Sequence, residues 1–133
     1  MNKKKQTVKW WKYSGILLIA TGILHSVVGI IAMSNDLWAI LKDGLLNAVG
    51  ADVDRNLALW FLVCGIFIII LGQVLHHYIK KEQKPAPKFL GYWLLGVPII
   101  GCIIAPVTGF WLFIPQALII LFAKPSDSKK QHE

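Results

Sequence analysis

The chain has 133 residues, 56% of them hydrophobic and 16% charged, with a formal net charge of +7. Soluble domains are typically about 45–50% apolar, so this composition argues against an ordinary soluble domain and for a membrane protein. The positive charge does not call for nucleic acid: of the 14 basic residues all but Lys42 and Arg55 flank apolar segments, where cationic side chains mark the cytoplasmic side.

Lys3, Lys4, Lys5, Lys9 and Lys12 precede the first apolar segment, about residues 13–33. Roughly 20 apolar residues suffice to cross the hydrocarbon core. Trp10, Trp11 and Tyr13 join the lysines in an interfacial anchor. A cleaved signal peptide is the rival reading, because Ala32-Met33-Ser34 has small residues at a cleavage spacing. The apolar run is longer than the usual ~7–15 residues and holds a histidine, so an uncleaved span is expected.

Residues 34–55 form a polar-containing connection with four acids and two bases. Trp38, Leu41, Leu45, Leu46 and Val49 follow helical spacing, which predicts one or two short amphipathic helices on the outer membrane surface or over the helix ends. Gly44 and Gly50 interrupt that face. The second apolar segment runs from about 56 to 79, with Asp52 and Asp54 placed to cap its start. Residues 80–88 carry Lys80, Lys81, Lys84 and Lys88, and Pro85 and Pro87 stop the helix from continuing.

Two shorter apolar segments follow, about 89–105 and 108–123, joined by Ala105-Pro106-Val107-Thr108-Gly109. Lys124, Lys129 and Lys130 come after them. The expected fold is therefore an all-α membrane protein. It is an antiparallel bundle of four transmembrane helices in a single domain over 1–133. Both termini are cytoplasmic, in a multi-pass protein of the cytoplasmic membrane.

Small residues recur every seven positions in the two long segments: Gly15, Gly22 and Gly29 in the first, Ala58, Gly65 and Gly72 in the second. Small residues let membrane helices approach closely, and a heptad period keeps one stripe on one partner. These stripes are expected to pack against each other.

His25 lies on the first stripe about 18 Å from the inner end. An ionisable group at that depth is a candidate functional site, and equally a lock that hydrogen-bonds a neighbouring helix. Arg55 heads the second stripe. It either pairs with Asp52, Asp54 or Asp36 at the surface or closes a polar pocket above His25 that holds the head of a lipid-like ligand. Gln73, Gln116, Tyr92 and Asn56 read as interface or packing groups. His76 and His77 read as headgroup-level residues, and the six tryptophans as an aromatic belt. Cys64 and Cys102 read as small buried hydrophobes. No acid falls in any span, and no metal spacing, nucleophilic triad, phosphate loop or haem motif is present. No catalytic residue, metal or cofactor is assigned.

Tyr13-Ser14-Gly15-Ile16-Leu17, then Gly22-Ile23-Leu24-His25 with Gly29, then Asn56 with Trp60-Phe61 and Gly65, resemble a family of small bacterial four-helix integral membrane proteins of unknown function. The resemblance covers nearly the whole chain and rests mainly on the first two spans. It implies a four-span protein and no particular activity. The likeness to DoxX-like proteins is general. Small multidrug carriers are of similar size, but their span-one glutamate has no counterpart.

These readings converge on a small, non-enzymatic integral membrane protein that binds a lipid or other apolar ligand or serves as a subunit of a membrane complex. Its expected partners are membrane lipids and either a second copy or another membrane protein, with no nucleic acid. Two other classes remain: a small dimeric transporter with His25 as titrating group, and a membrane enzyme acting on a lipid or isoprenoid.

Overall fold

The computed structural model describes residues 9–124. Lys3, Lys4, Lys5, Lys129 and Lys130, on which part of the topology rests, lie outside the described residues. The described residues are helical with no strand. A 3-10 turn, Trp10–Tyr13, leads into α1 (Ser14–Ala32), and α2 (Ser34–Lys42) follows after Met33. α3 spans Val53–Glu82 and α4 spans Lys88–Ile104. A second 3-10 turn, Gly109–Leu112, opens α5 (Phe113–Leu121).

α3 has 30 residues, so it is about 45 Å long. Its start is fixed by Asp52, whose Oδ1 accepts the backbone N–H groups of Asp54 and Arg55 at 3.0 and 3.2 Å. Those groups have no partner within the helix. Its end is fixed at Gln83, which adopts a left-handed φ of 52° two residues before Pro85.

α1 and α3 run antiparallel and form the principal contact of the fold. α5 packs on α1, and α4 packs on α5, so the order across the molecule is α3, α1, α5, α4. All four share a core at one end, formed by Trp11, Leu18, Leu75, Ile79, Ala86 and Ile120, with Leu90 and Leu94 of α4 against it. The opposite end carries α2 and the connection to α3. Among the described residues two helical stretches are long and apolar enough to cross a membrane, Trp10–Ala32 and Val53–Glu82.

Two expectations change. The apolar face drawn through Trp38, Leu41, Leu45, Leu46 and Val49 is not one helical face, because α2 ends at Lys42. Gly44, Leu45, Asn47 and Gly50 then take left-handed φ values of 88°, 68°, 57° and 50°. The segment 108–123 is not one continuous α-helix: its first part is a 3-10 turn and only nine residues are α-helical. Pro115 is third in α5, inside the first turn, where its missing N–H deprives the helix of no bond.

Candidate functional site

Glycine brings α1 and α3 together. A Cβ built on Gly15 would lie 2.5 Å from the His76 backbone nitrogen, and one on Gly22 would lie 2.8 Å from that of Ile69. Real side chains do not fit at such distances, so the two backbones touch where glycine permits it. Gly72 meets Ile19 in the same way, Gly29 meets the ring of Phe61, and Ala58 is fully buried. On Gly65, a Cβ would collide with the hydroxyl of Ser26.

His25 lies beside the same glycine, its Cδ2 3.3 Å from where a Gly65 Cβ would be. Its ring stacks on Phe61 with centroids 3.9 Å apart and planes 7° from parallel. Its Nε2 lies 3.1 Å from the Phe61 carbonyl oxygen. A carbonyl only accepts, so Nε2 carries the hydrogen and donates. One ring nitrogen and one ring face are thus engaged with α3. Ser26 and Thr21 donate their hydroxyls to the Gly22 and Leu17 carbonyls of their own helix, at 3.0 and 2.9 Å.

Arg55 sits in the first turn of α3 and reaches back over the α2–α3 connection. Its Nη1 donates to Asp43 Oδ2 at 2.6 Å and to the Ala48 carbonyl at 2.6 Å, and its Nε lies 3.4 Å from Asp52 Oδ2. Asp43 and Ala48 bracket the left-handed turn Gly44–Asn47, so one guanidinium closes both ends of it. Leu46, at the tip of that turn, is 92% exposed.

Sequence reasoning did not find the third polar contact. Gln116 of α5, 94% buried, donates from Nε2 to Thr21 Oγ1 at 2.5 Å and to the Leu112 carbonyl at 3.0 Å. Its Oε1 and the Nδ1 of His76 are buried without a hydrogen-bond partner among the described residues. A glutamine in an apolar stretch and a threonine on a helical stripe were the only signals, and nothing in their spacing links residues 95 positions apart.

His25 and Arg55 therefore each hold a different part of α3, the first its third turn, at Phe61, and the second its start. Among the described residues no three His, Cys, Asp or Glu side chains converge on a possible metal position. Cys64 is exposed and Cys102 buried, and neither is in a disulfide.

The sequence model of a family of unknown function, DUF6463, matches residues 9–127. The chain belongs to this family. Neither the curated proteins nor the solved structures hold a match to it. Membership in DUF6463 brings no activity with it, so the chemistry must be read from the residues themselves.

Proposed function

We propose that this DUF6463 member is a small multi-pass protein of the cytoplasmic membrane that works through helix packing, as a non-enzymatic subunit associating with lipid and with itself or another membrane protein. One observation carries this reading. Only 28% of the most apolar window in Trp10–Ala32, and 17% of that in Val53–Glu82, is buried inside the chain. The core helix of a soluble protein hides most of its apolar surface, and a large exposed apolar surface calls for lipid or a partner to cover it.

In this reading α4 and the Gly109–Leu121 stretch make a third and fourth pass, short and little tilted. At 17 residues α4 measures about 26 Å, close to the roughly 30 Å of a hydrocarbon core. The four helices then form an antiparallel bundle with both termini cytoplasmic. Lys9 and Lys12, the Lys80–Lys88 group and Lys124 lie on the inner side, and α2 with Arg55 lies on the outer side. The contacts of His25 and Arg55 favour a packing role, because each already holds a part of α3 or of the turn before it.

Carbonate washing of membranes tests the reading, with the chain expected to stay in the pellet. Leu46→Cys, in a background with Cys64 and Cys102 changed to Ser, is expected to react with an impermeant maleimide in intact cells. Release by carbonate defeats the integral-membrane assignment. Protection of Leu46→Cys together with a labelled C-terminus reverses the topology.

A further inference from the structure

The Gln73 side chain has no polar partner among the described residues. It follows Gly72 in α3 and lies about 100° round the helix from the stripe that meets α1. It is exposed, and its side chain makes no hydrogen bond to another described residue. Ile66, Ile70 and His77 share its face at spacings of i, i+4, i+7 and i+11, and all are exposed.

Its depth makes that exposure costly. His77, at headgroup level, is about 6 Å further along the helix, and Lys80 about 10 Å. Side chains tilt toward their helix N-terminus, and the N-terminus of α3 is on the outer side. Gln73 therefore leans toward the bilayer centre, away from the nearer headgroups. A primary amide in hydrocarbon without water or a protein partner is strongly disfavoured.

We propose that the face made by Ile66, Ile70, Gln73 and His77 is a homodimer interface, in which Gln73 pairs with the same residue of a second copy. This rests on the integral-membrane reading above. An amide carries a donor and an acceptor, so it complements itself. The lysine groups insert every copy in one orientation, and a two-fold axis along the membrane normal sets the two α3 helices parallel with Gln73 at one depth. Each Nε2–H then meets the other Oε1, as polar side chains do between membrane helices. An acyl chain offers neither donor nor acceptor.

Energy transfer between donor- and acceptor-labelled full-length chains, in vesicles of phosphatidylethanolamine and phosphatidylglycerol over a range of protein-to-lipid ratios, tests it. Gln73→Leu is expected to weaken association about three- to thirtyfold, and Gln73→Asn to keep part of it. In the cysteine-free background, Ile70→Cys is expected to cross-link on oxidation. Native Cys64, half a turn round the helix from Gln73, is expected not to cross-link when it is the single cysteine. Unchanged association in Gln73→Leu, or a wild-type chain that stays monomeric at the highest protein-to-lipid ratio, overturns the pairing. Release of the chain by carbonate overturns the membrane reading and the pairing with it. A chain that stays embedded but monomeric overturns the pairing alone.

Discussion

The His25 ring lies flat against Phe61, 3.9 Å between centroids, while its Nε2–H donates to that same residue's carbonyl oxygen 3.1 Å away. One side chain thus holds both the ring and the backbone of a single residue on the neighbouring helix. His25→Leu removes both contacts and is expected to destabilise the α1–α3 pair by about 1–2 kcal/mol, the sum of an interhelical hydrogen bond and a ring stack. His25→Phe restores the stack and is expected to recover roughly half the loss. Reversible unfolding in bicelles measures both. A variant as stable as the wild type would remove His25 from the packing account.

Glycine-to-alanine exchange should divide sharply by position. Gly15→Ala places a methyl 2.5 Å from the His76 nitrogen, where backbone has to move, and is expected to cost about 1–3 kcal/mol. Gly96, in α4, has nothing within 4 Å of its would-be Cβ. Gly96→Ala is expected to be neutral or to stabilise by up to about 1 kcal/mol through helix propensity. Thermal unfolding of the two variants side by side gives the contrast.

The Thr21–Gln116 contact carries an asymmetry. Gln116→Leu removes two hydrogen bonds but also the buried Oε1 that has no partner, so the net change is expected to stay within about 1 kcal/mol. Thr21→Val keeps the shape and leaves a Gln116 N–H buried without its acceptor, at an expected cost of about 1–3 kcal/mol. The double variant should be less destabilised than Thr21→Val alone. A double-mutant cycle from equilibrium unfolding checks this, and additive losses would contradict it.

Arg55→Gln opens the clasp on the turn between Asp43 and Ala48. Ala48 is buried, at 8% exposure. In a background with Cys64 and Cys102 changed to Ser, maleimide labelling of Ala48→Cys is expected to be slow. It should accelerate several-fold when Arg55→Gln is added, with helix content unchanged. High salt should reproduce part of the effect, because the contact to Asp43 is an exposed ion pair open to screening.

Much of this was legible in the sequence for physical reasons. α1 and α3 announce themselves because long apolar runs end at lysine clusters and because Asp52 is a strong cap. The 34–55 segment was harder. Helical spacing continued through Leu45 and Leu46, but Gly44 allows a left-handed turn, and Arg55 holds that turn from ten residues downstream. Which acid pairs with Arg55 depended on the path of that turn. Asp52, one of the acids named, does lie 3.4 Å from Arg55 Nε, but Asp43, the nearer partner, was not named. Of the polar groups read as packing groups, Gln116 is buried between helices, whereas Gln73 and Tyr92 are exposed. The partner of Gln116 stayed hidden because side-chain pairing across two hairpins leaves no period to detect.

The helices on the two flanks of the molecule differ in length. The outermost, α3, reaches about 45 Å, whereas α4 at the opposite flank reaches about 26 Å and α5 is shorter still. In a bilayer, such a molecule presents a different hydrophobic thickness to lipid on each side. On the multi-pass reading proposed above, lipids beside the α4–α5 hairpin would have to thin, while those beside α3 could stay at full height or let the helix tilt. The protein would then carry its own thickness gradient, attracting shorter acyl chains to one flank and leaving the other as the less strained place for a neighbouring helix.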